Sequence, residues 1–259
     1  MSVPSPECEA PQWAAPAAVA ALMTTRRGGV SSGPFGDGAG GGGCNLGAGA
    51  DHADAVAANR ALLRGRLPAE PSWLRQVHGT RIVDAATGAG EAADGAYAVR
   101  PGIVCAVLVA DCLPVLLADR GGRGVAAAHA GWRGLAAGVL QECARALRAA
   151  LGDPGAELIA WLGPAIGPGR FEVGPEVFVA MRARLPRAEE AFEERGAGRL
   201  HADLFALARQ ALAPEGVVQV AGGGRCTASE PETYYSFRRD RVTGRQAALV
   251  WLRDGSRGI

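Results

Sequence analysis

Three side chains that could bind a metal, or act as nucleophile and base, follow predicted strands of this sequence. Cys112 and His129 each come just past an apolar run, and His78 follows the segment Trp73–Val77. Taken singly, a cysteine or histidine in such a place usually fills space in a core. Together, two imidazoles and one thiolate match a catalytic zinc site with an open position for water. Without a metal, the same trio would form a Cys–His nucleophilic pair that the second histidine orients.

The composition excludes several enzyme classes. The chain has 259 residues, a formal net charge of +1 and 27 basic residues, all of them arginine. Without lysine there is no P-loop lysine, no Schiff-base lysine and no Ser-Lys dyad. The near-neutral charge and the 48% hydrophobic content predict a folded protein that binds neither nucleic acid nor a membrane.

The scarcity of histidine argues against multicopper oxidase chemistry. Such an enzyme needs a site of two histidines and a cysteine plus a further cluster of histidines. The chain has four histidines and three methionines in all, which cannot fill those sites. A single copper ion at the trio of His78, Cys112 and His129 would be adventitious. The other two histidines, His52 and His201, receive no predicted role.

The cysteine pattern and the N-terminus bear on the compartment. The six cysteines show no CxxC pair, so we expect free thiols in a reducing environment. Glu7 and Glu9 stand where a signal peptide would carry basic residues. The longest apolar run, Ile103–Ala110, is too short to span a bilayer. The sequence therefore predicts a soluble cytoplasmic protein.

A glycine-rich stretch near the N-terminus carries two short motif matches. Gly38–Gly43 satisfies GxGxxG, and Gly29–Gly33 satisfies GxSxG. Each motif needs a strand before it and a helix after it. Because further glycines or a proline follow instead, we reject both matches. The segment Gly36–Gly43 is predicted to be a flexible surface loop without an assigned role.

The alternation of strands and helices predicts one mixed α/β catalytic domain over residues 17–259, after a flexible lead-in over residues 1–16. Ile103–Val109 is continuously apolar, as in a strand covered on both faces. Ligands of open α/β sheets bind at the carboxyl ends of strands, where Cys112 and His129 would fall. The other predicted strands are Arg81–Asp84, Val115–Ala118, Gly124–Ala128, Leu158–Leu162, Val217–Val220 and Ala247–Leu252, and the predicted helices are Asp54–Leu67, Leu135–Leu151, Pro175–Leu185 and Ala202–Leu212.

From about Leu22 to Leu252, the chain resembles the YfiH/PgeF family, long labelled polyphenol oxidase or laccase domain and related to purine nucleoside phosphorylases of broad specificity. The resemblance implies packed mixed sheets covered by helices, similar to the deamidase domain of cytotoxic necrotizing factors. It also implies that His78, Cys112 and His129 are zinc ligands. The segments that carry it are Trp73–Gly79, Ala93–Gly95, Ala110–Pro114, His129–Gly134, Leu162–Gly167, Phe171–Gly174 and Tyr235–Asp240.

The same resemblance implies an enzyme of nucleoside metabolism, acting as a monomer on a small nucleoside and phosphate. Family members are associated with phosphorolysis of adenosine, guanosine, inosine and methylthioadenosine, and with adenosine deamination. The alternative is an amide hydrolase that edits a serine-containing peptidoglycan precursor, using zinc-bound water or Cys112 as nucleophile. A third alternative is a non-catalytic module in which zinc only stabilises the fold.

Four further residues are predicted to bind substrate. Arg75 and Arg133 are candidates for holding phosphate, because a guanidinium binds it in a fork geometry. They are equally compatible with structural ion pairs to carboxylates such as Asp94 and Asp111. Two more candidates come from family segments: Asn45, within Gly43–Gly47 where the family has Ser-Leu-Asn-Leu-Gly, and Ser236, beside the charged run Arg238–Asp240.

Overall fold

Two β-sheets packed face to face form the centre of the fold, in a computed structural model that describes residues 5–49, 51–196 and 198–254. The first sheet is antiparallel, with strands in the order β1 (Cys8–Glu9), β2 (Val19–Thr24), β14 (Gln246–Leu252) and β6 (Val104–Val109). The second is mixed, in the order β13 (Val220–Gly222), β9 (Leu158–Leu162), β7 (Leu113–Asp119), β8 (Val125–Ala130), β5 (Gly95–Ala98) and β4 (Ile82–Asp84).

Helices cover the outer faces of this sandwich, which makes the fold mixed α/β as predicted. Helix α1 (Ala53–Arg64) packs on the first sheet, and four helices later in the chain cover the second. Within the described residues, no helix is both long enough and apolar enough to cross a bilayer. The remaining elements are β3 (Arg27–Ser31), a small sheet of β10 (Glu172–Val173), β11 (Phe192–Glu194) and β12 (Leu200–Ala202), and helices α2 (Trp132–Ala137), α3 (Val139–Leu151), α4 (Pro175–Arg182), α5 (Leu204–Leu212) and α6 (Phe237–Asp240).

Strand β6 confirms the expectation of a strand covered on both faces. Cys105 and Val107 pack against the second sheet, whereas Ala106 and Leu108 pack on the side of α1. Successive side chains of a strand point to opposite faces, so both sets must be apolar when both faces are covered. This burial fixes the end of β6, from which the chain crosses to the second sheet.

The helix predicted over Leu135–Leu151 is divided in the structure. Gly138 adopts a φ of +101°, and its N–H donates to the carbonyl of Gly134 at 2.9 Å, which ends α2. A left-handed glycine is a common helix terminator. The apolar spacing was read correctly, since Leu135 and Val139 are both buried, but the two lie on separate helices.

The N-terminal segment differs from the flexible lead-in predicted over residues 1–16. Among its described residues, Cys8–Glu9 forms the edge strand β1 and pairs with β2. A hydrogen bond from the Tyr234 hydroxyl to the Glu9 carboxylate, at 2.5 Å, holds this strand in place. The glycine-rich loop is also fastened, by hydrogen bonds from the Arg26 guanidinium to the carbonyl of Gly36.

Candidate active site

His78, Cys112 and His129 converge where the two sheets meet. Their ligand atoms lie within 4.8 Å of one another, and the Cys112 sulfur is 3.8 Å from Nε2 of His78. Tetrahedral zinc with its usual bond lengths would separate a sulfur and a nitrogen ligand by about 3.6 Å. The donor set and its spacing therefore fit a bound metal ion with three protein ligands and one open position.

Cys112 lies on the crossover between the sheets, in the connection from β6 to β7. The preceding residue, Asp111, has a φ of +89°, which few non-glycine residues adopt. Its buried carboxylate accepts hydrogen bonds from the Thr227 hydroxyl and from the backbone N–H of Arg238, both at 2.6 Å. The prediction that His129 falls just past the end of its strand is wrong, because His129 lies within β8, and β6 and β8 belong to two packed sheets instead of one open sheet.

His129 is buried near the end of β8, where a carboxylate orients its ring. Nδ1 of His129 donates to Oδ1 of Asp94 at 2.8 Å, and both side chains are almost fully buried. This bond leaves Nε2 of His129 for a metal or for the Cys112 sulfur. Burial by itself would raise the pKa of Asp94, but hydrogen bonds from His129 and from backbone N–H groups hold the pKa of that carboxyl below its usual value.

His78 comes from a turn instead of the end of a strand. The segment Trp73–Val77, predicted as a strand, forms only a single isolated bridge, between Arg75 and Ala92. His78 itself has a φ of +60°, and its backbone N–H donates to Asp94 at 2.9 Å. The exposed imidazole of His78 thus depends on a tightly hydrogen-bonded turn for its position.

The metal-free trio carries separated charges at neutral pH. Burial would raise the pKa of Cys112, but its contacts with His129 and His78 lower that pKa to about 6. Burial would likewise lower the pKa of His129, yet its hydrogen bonds to Asp94 and Cys112 raise that pKa to about 9. A thiolate therefore faces an imidazolium, and binding of a metal would displace the imidazolium proton.

A cavity of about 1030 Å³ opens onto the trio. Three arginines reach it: exposed Arg75, and the partly buried Arg60 and Arg245. Two aromatic rings complete the wall, Trp73 and the exposed Phe237. The Arg60 guanidinium stacks on the Trp73 ring at 4.4 Å. The cavity thus combines positive charge and flat apolar surface beside a candidate metal centre.

Arg75 and Arg133, both predicted to bind phosphate, lie in different places in the structure. Arg75 lines the cavity and makes no ion pair among the residues that the structure describes. Exposed Arg133 stacks on Trp132 at 4.4 Å and does not line the cavity. Neither arginine pairs with Asp94 or Asp111, whose carboxylates have the partners given above.

Asn45 and Ser236, predicted to bind substrate, are buried in the scaffold of the site. The Asn45 side-chain oxygen accepts from the backbone N–H of Arg245 at 2.8 Å, which holds the backbone of this cavity residue just before β14. The Ser236 hydroxyl caps α6 by accepting from the N–H of Arg239. The charged run Arg238–Asp240 lies within helix α6, where the Arg239 guanidinium is ion-paired with the Asp240 carboxylate at 2.7 Å.

Sequence reasoning missed three residues of the cavity, Arg60, Phe237 and Arg245. Phe237 could have been predicted, because it directly follows Ser236 in a segment that resembles the family. Arg60 lies on α1 and Arg245 directly before β14, far from His78, Cys112 and His129 in sequence. No local pattern distinguishes these two arginines from solvated surface arginines.

Comparison with known proteins gives consistent likenesses. The model of a family described as multi-copper polyphenol oxidoreductase laccase matches residues 20–253. A protein of Pseudomonas aeruginosa named purine nucleoside phosphorylase is 50% identical over 94% of this chain and 98% of its own length. The Escherichia coli purine nucleoside phosphorylase YfiH is also 50% identical, over 93% of this chain and 97% of its own length.

Solved structures share the fold. A Neisseria meningitidis protein superposes with a TM-score of 0.87 at 46% identity, over 95% of this chain and 99% of that one. The YlmD protein of Geobacillus stearothermophilus gives a TM-score of 0.84 at 29% identity, over 98% of this chain and all of that one (100%).

Proposed function

The chain belongs to the family of multi-copper polyphenol oxidoreductase laccases, to which YfiH proteins also belong, and from that premise we propose that it is a metal-dependent purine nucleoside phosphorylase. One observation carries the proposal: the trio His78, Cys112 and His129 faces a cavity that also presents arginine side chains and aromatic surface. The names of the relatives agree with it. We expect adenosine, guanosine, inosine and methylthioadenosine as substrates.

The cavity offers a group for each part of that reaction. In phosphorolysis, a phosphate oxygen forms a bond to C1′ of the ribose while the bond from C1′ to the base breaks. The base leaves with the electron pair and takes up a proton, which yields the free base and ribose 1-phosphate. Arg75 would hold the phosphate, and Phe237 would stack on the purine. A metal held by the trio would supply a Lewis acid at the floor of the cavity.

The direct test is a product assay on protein purified without a His-tag or added metal. Adenosine is incubated with and without phosphate, and adenine, ribose 1-phosphate and inosine are separated by chromatography. We expect adenine to appear only with phosphate, in equal amount with ribose 1-phosphate. Inosine formed without phosphate would indicate deamination as a second activity. Absence of any base release from all four nucleosides would refute the proposal.

Replacing Arg75 with alanine is expected to raise KM for phosphate by about 10–100-fold, because a hydrogen bond to a charged group contributes about 1.5–3 kcal/mol. The matched control is Arg133→Ala, which removes an equally exposed arginine that lies outside the cavity. Steady-state kinetics with phosphate varied at saturating nucleoside give the measurement. Equal KM values for the two variants would remove Arg75 from the phosphate site.

Replacing Phe237 with alanine is expected to raise KM for the nucleoside by about 5–100-fold, since stacking of one base on an aromatic ring contributes about 1–3 kcal/mol. The ring is 47% exposed, so its loss should leave the fold intact. Phe237→Tyr serves as control because it keeps a ring of the same shape. A change confined to KM for phosphate would contradict the assigned role.

Zinc is the metal we propose for the trio. The family description names copper, but the described residues contain one group of three metal-competent side chains, His78, Cys112 and His129. A multicopper enzyme needs further histidine-rich sites. Elemental analysis of the protein purified as above should find about one zinc per chain. Copper at that stoichiometry, with turnover that depends on it, would replace zinc in the proposal.

A second candidate function, amide hydrolysis with Cys112 as nucleophile, is favoured by the carboxylate behind His129. Asp94, His129 and Cys112 stand in the order of orienting group, base and nucleophile. A serine-containing peptidoglycan precursor would be the substrate. Chelator-treated protein separates the two candidates: it should lose phosphorolysis, whereas a thiol hydrolase would keep cleaving its amide.

A further inference from the structure

We propose that Asp94 is the positioning residue of the metal site, a single carboxylate that holds both imidazole ligands in place. Asp94 directly precedes β5 and is fully buried. It does not line the cavity and is not one of the three candidate ligands. The inference rests on the metal site of the proposed function.

The first half of this role is orientation of His129. Asp94 Oδ1 accepts from Nδ1 of His129, so the proton stays on Nδ1 and Nε2 is free for the metal. The two residues are also joined through their backbones, because the N–H of His129 donates to the carbonyl of Asp94 at 2.7 Å. An outer carboxylate of this kind fixes both the tautomer and the orientation of a ligating histidine.

The second half is formation of the turn that presents His78. Three successive backbone N–H groups, those of Val77, His78 and Gly79, donate to the Asp94 carboxylate at 3.1, 2.9 and 2.7 Å. These bonds stabilise the left-handed conformation of His78 at φ +60°, which is unfavourable for a residue with a β-carbon. Without these three hydrogen bonds, we expect the turn at His78 to relax to a different conformation.

The carboxylate is fully used by these contacts. It offers about four lone-pair sites, and the three N–H groups and the His129 ring occupy four. An asparagine in its place would keep one acceptor oxygen and bring an NH₂ donor against N–H donors. Asp94→Asn should therefore disturb both imidazoles at once while changing the side-chain volume very little.

The test compares metal affinity in Asp94→Asn and Asp119→Asn. Asp119 is the matched control: a buried carboxylate of the same sheet, bound to a backbone N–H and to the Arg123 guanidinium, away from the trio. Zinc competition with a chromophoric chelator should show about 10–100-fold weaker binding for Asp94→Asn and at most about twofold for Asp119→Asn. The cobalt-loaded Asp94→Asn protein should also show altered ligand-field bands.

Three results would overturn the inference. Wild-type affinity in Asp94→Asn would show that the carboxylate does not position the ligands. Equal losses in the two variants would show a general stability effect. If Asp94→Asn does not fold, nitrogen NMR of the wild-type zinc protein gives the test, because only four histidines need to be assigned. The spectrum shows which ring nitrogen of His129 carries the proton, and a proton on Nε2 contradicts the proposal. Wild-type protein with no metal affinity would instead refute the metal site itself.

Discussion

Cys112→Ala protein is expected to be purified without metal and to lose at least about 100-fold in kcat/KM for phosphorolysis. Loss of an outer-shell partner typically costs a metal site about 10–100-fold, and loss of one of three direct ligands should exceed that. Two imidazoles remain in this variant, but the thiolate that lies 3.8 Å from Nε2 of His78 is gone. Elemental analysis and the adenosine assay give the two measurements.

The control for this experiment is Cys226→Ala, which removes a half-buried thiol in a separate cavity of about 320 Å³. Its metal content and turnover should match the wild type. The alanine variant at Cys112 should remain folded by circular dichroism, since a catalytic site with an open position is not the core of the fold. Metal-free Cys112→Ala protein with near wild-type turnover would refute a metal-dependent mechanism. Unfolding on metal loss would instead support the structural zinc module.

Gly131→Ala is expected to weaken metal binding by about 100-fold although it adds only one methyl group. A β-carbon at Gly131 would lie 2.8 Å from Cδ2 of His78 and 3.0 Å from the Cys112 sulfur. Both distances are shorter than van der Waals contact, so the His78 ring and the Cys112 sulfur must move away from the new methyl group. A metal site tolerates little displacement of its ligands, so metal affinity should fall. Zinc competition and the phosphorolysis assay measure the loss.

A second glycine separates this steric effect from any general cost of alanine. Gly65→Ala places a β-carbon no nearer than 3.4 Å to a neighbouring atom, and Gly65 has ordinary helical dihedral angles. Its metal affinity should equal that of the wild type. Retained affinity in Gly131→Ala would mean that the ligands do not occupy the positions described here.

The sequence was enough to identify His78, Cys112 and His129 as one site, but not to predict which structural elements position them. Cys112 and His129 were placed past apolar runs, and those runs are strands β6 and β8. The predicted strand before His129 ended too early, because β8 extends to Ala130, and an apolar run does not show which sheet its strand joins. His78 was assigned to a strand end, whereas it needs a turn whose shape depends on the distant carboxylate of Asp94.

The substrate cavity was less predictable for a related reason. Asn45 and Ser236 belong to segments that resemble the family, but resemblance does not tell a residue that touches substrate from one that shapes the backbone beneath it. Both are buried and hydrogen-bonded to backbone N–H groups. Arg60 and Arg245 reach the cavity only through packing of α1 and β14, which no local pattern encodes.

A metal bound at Cys112 would cross-link separate segments of the protein as well as take part in the reaction. His78, Cys112 and His129 come from three separate segments of the chain beside the second sheet, so with a metal bound these segments could not separate until a coordinate bond broke. A ligand that binds only the folded state adds about 2.7 kcal/mol to the free energy of unfolding when its free concentration is 100 times its Kd. A bound metal would therefore add to the stability of a chain that folds without it, and metal starvation would lower the thermal stability and the turnover of the protein together.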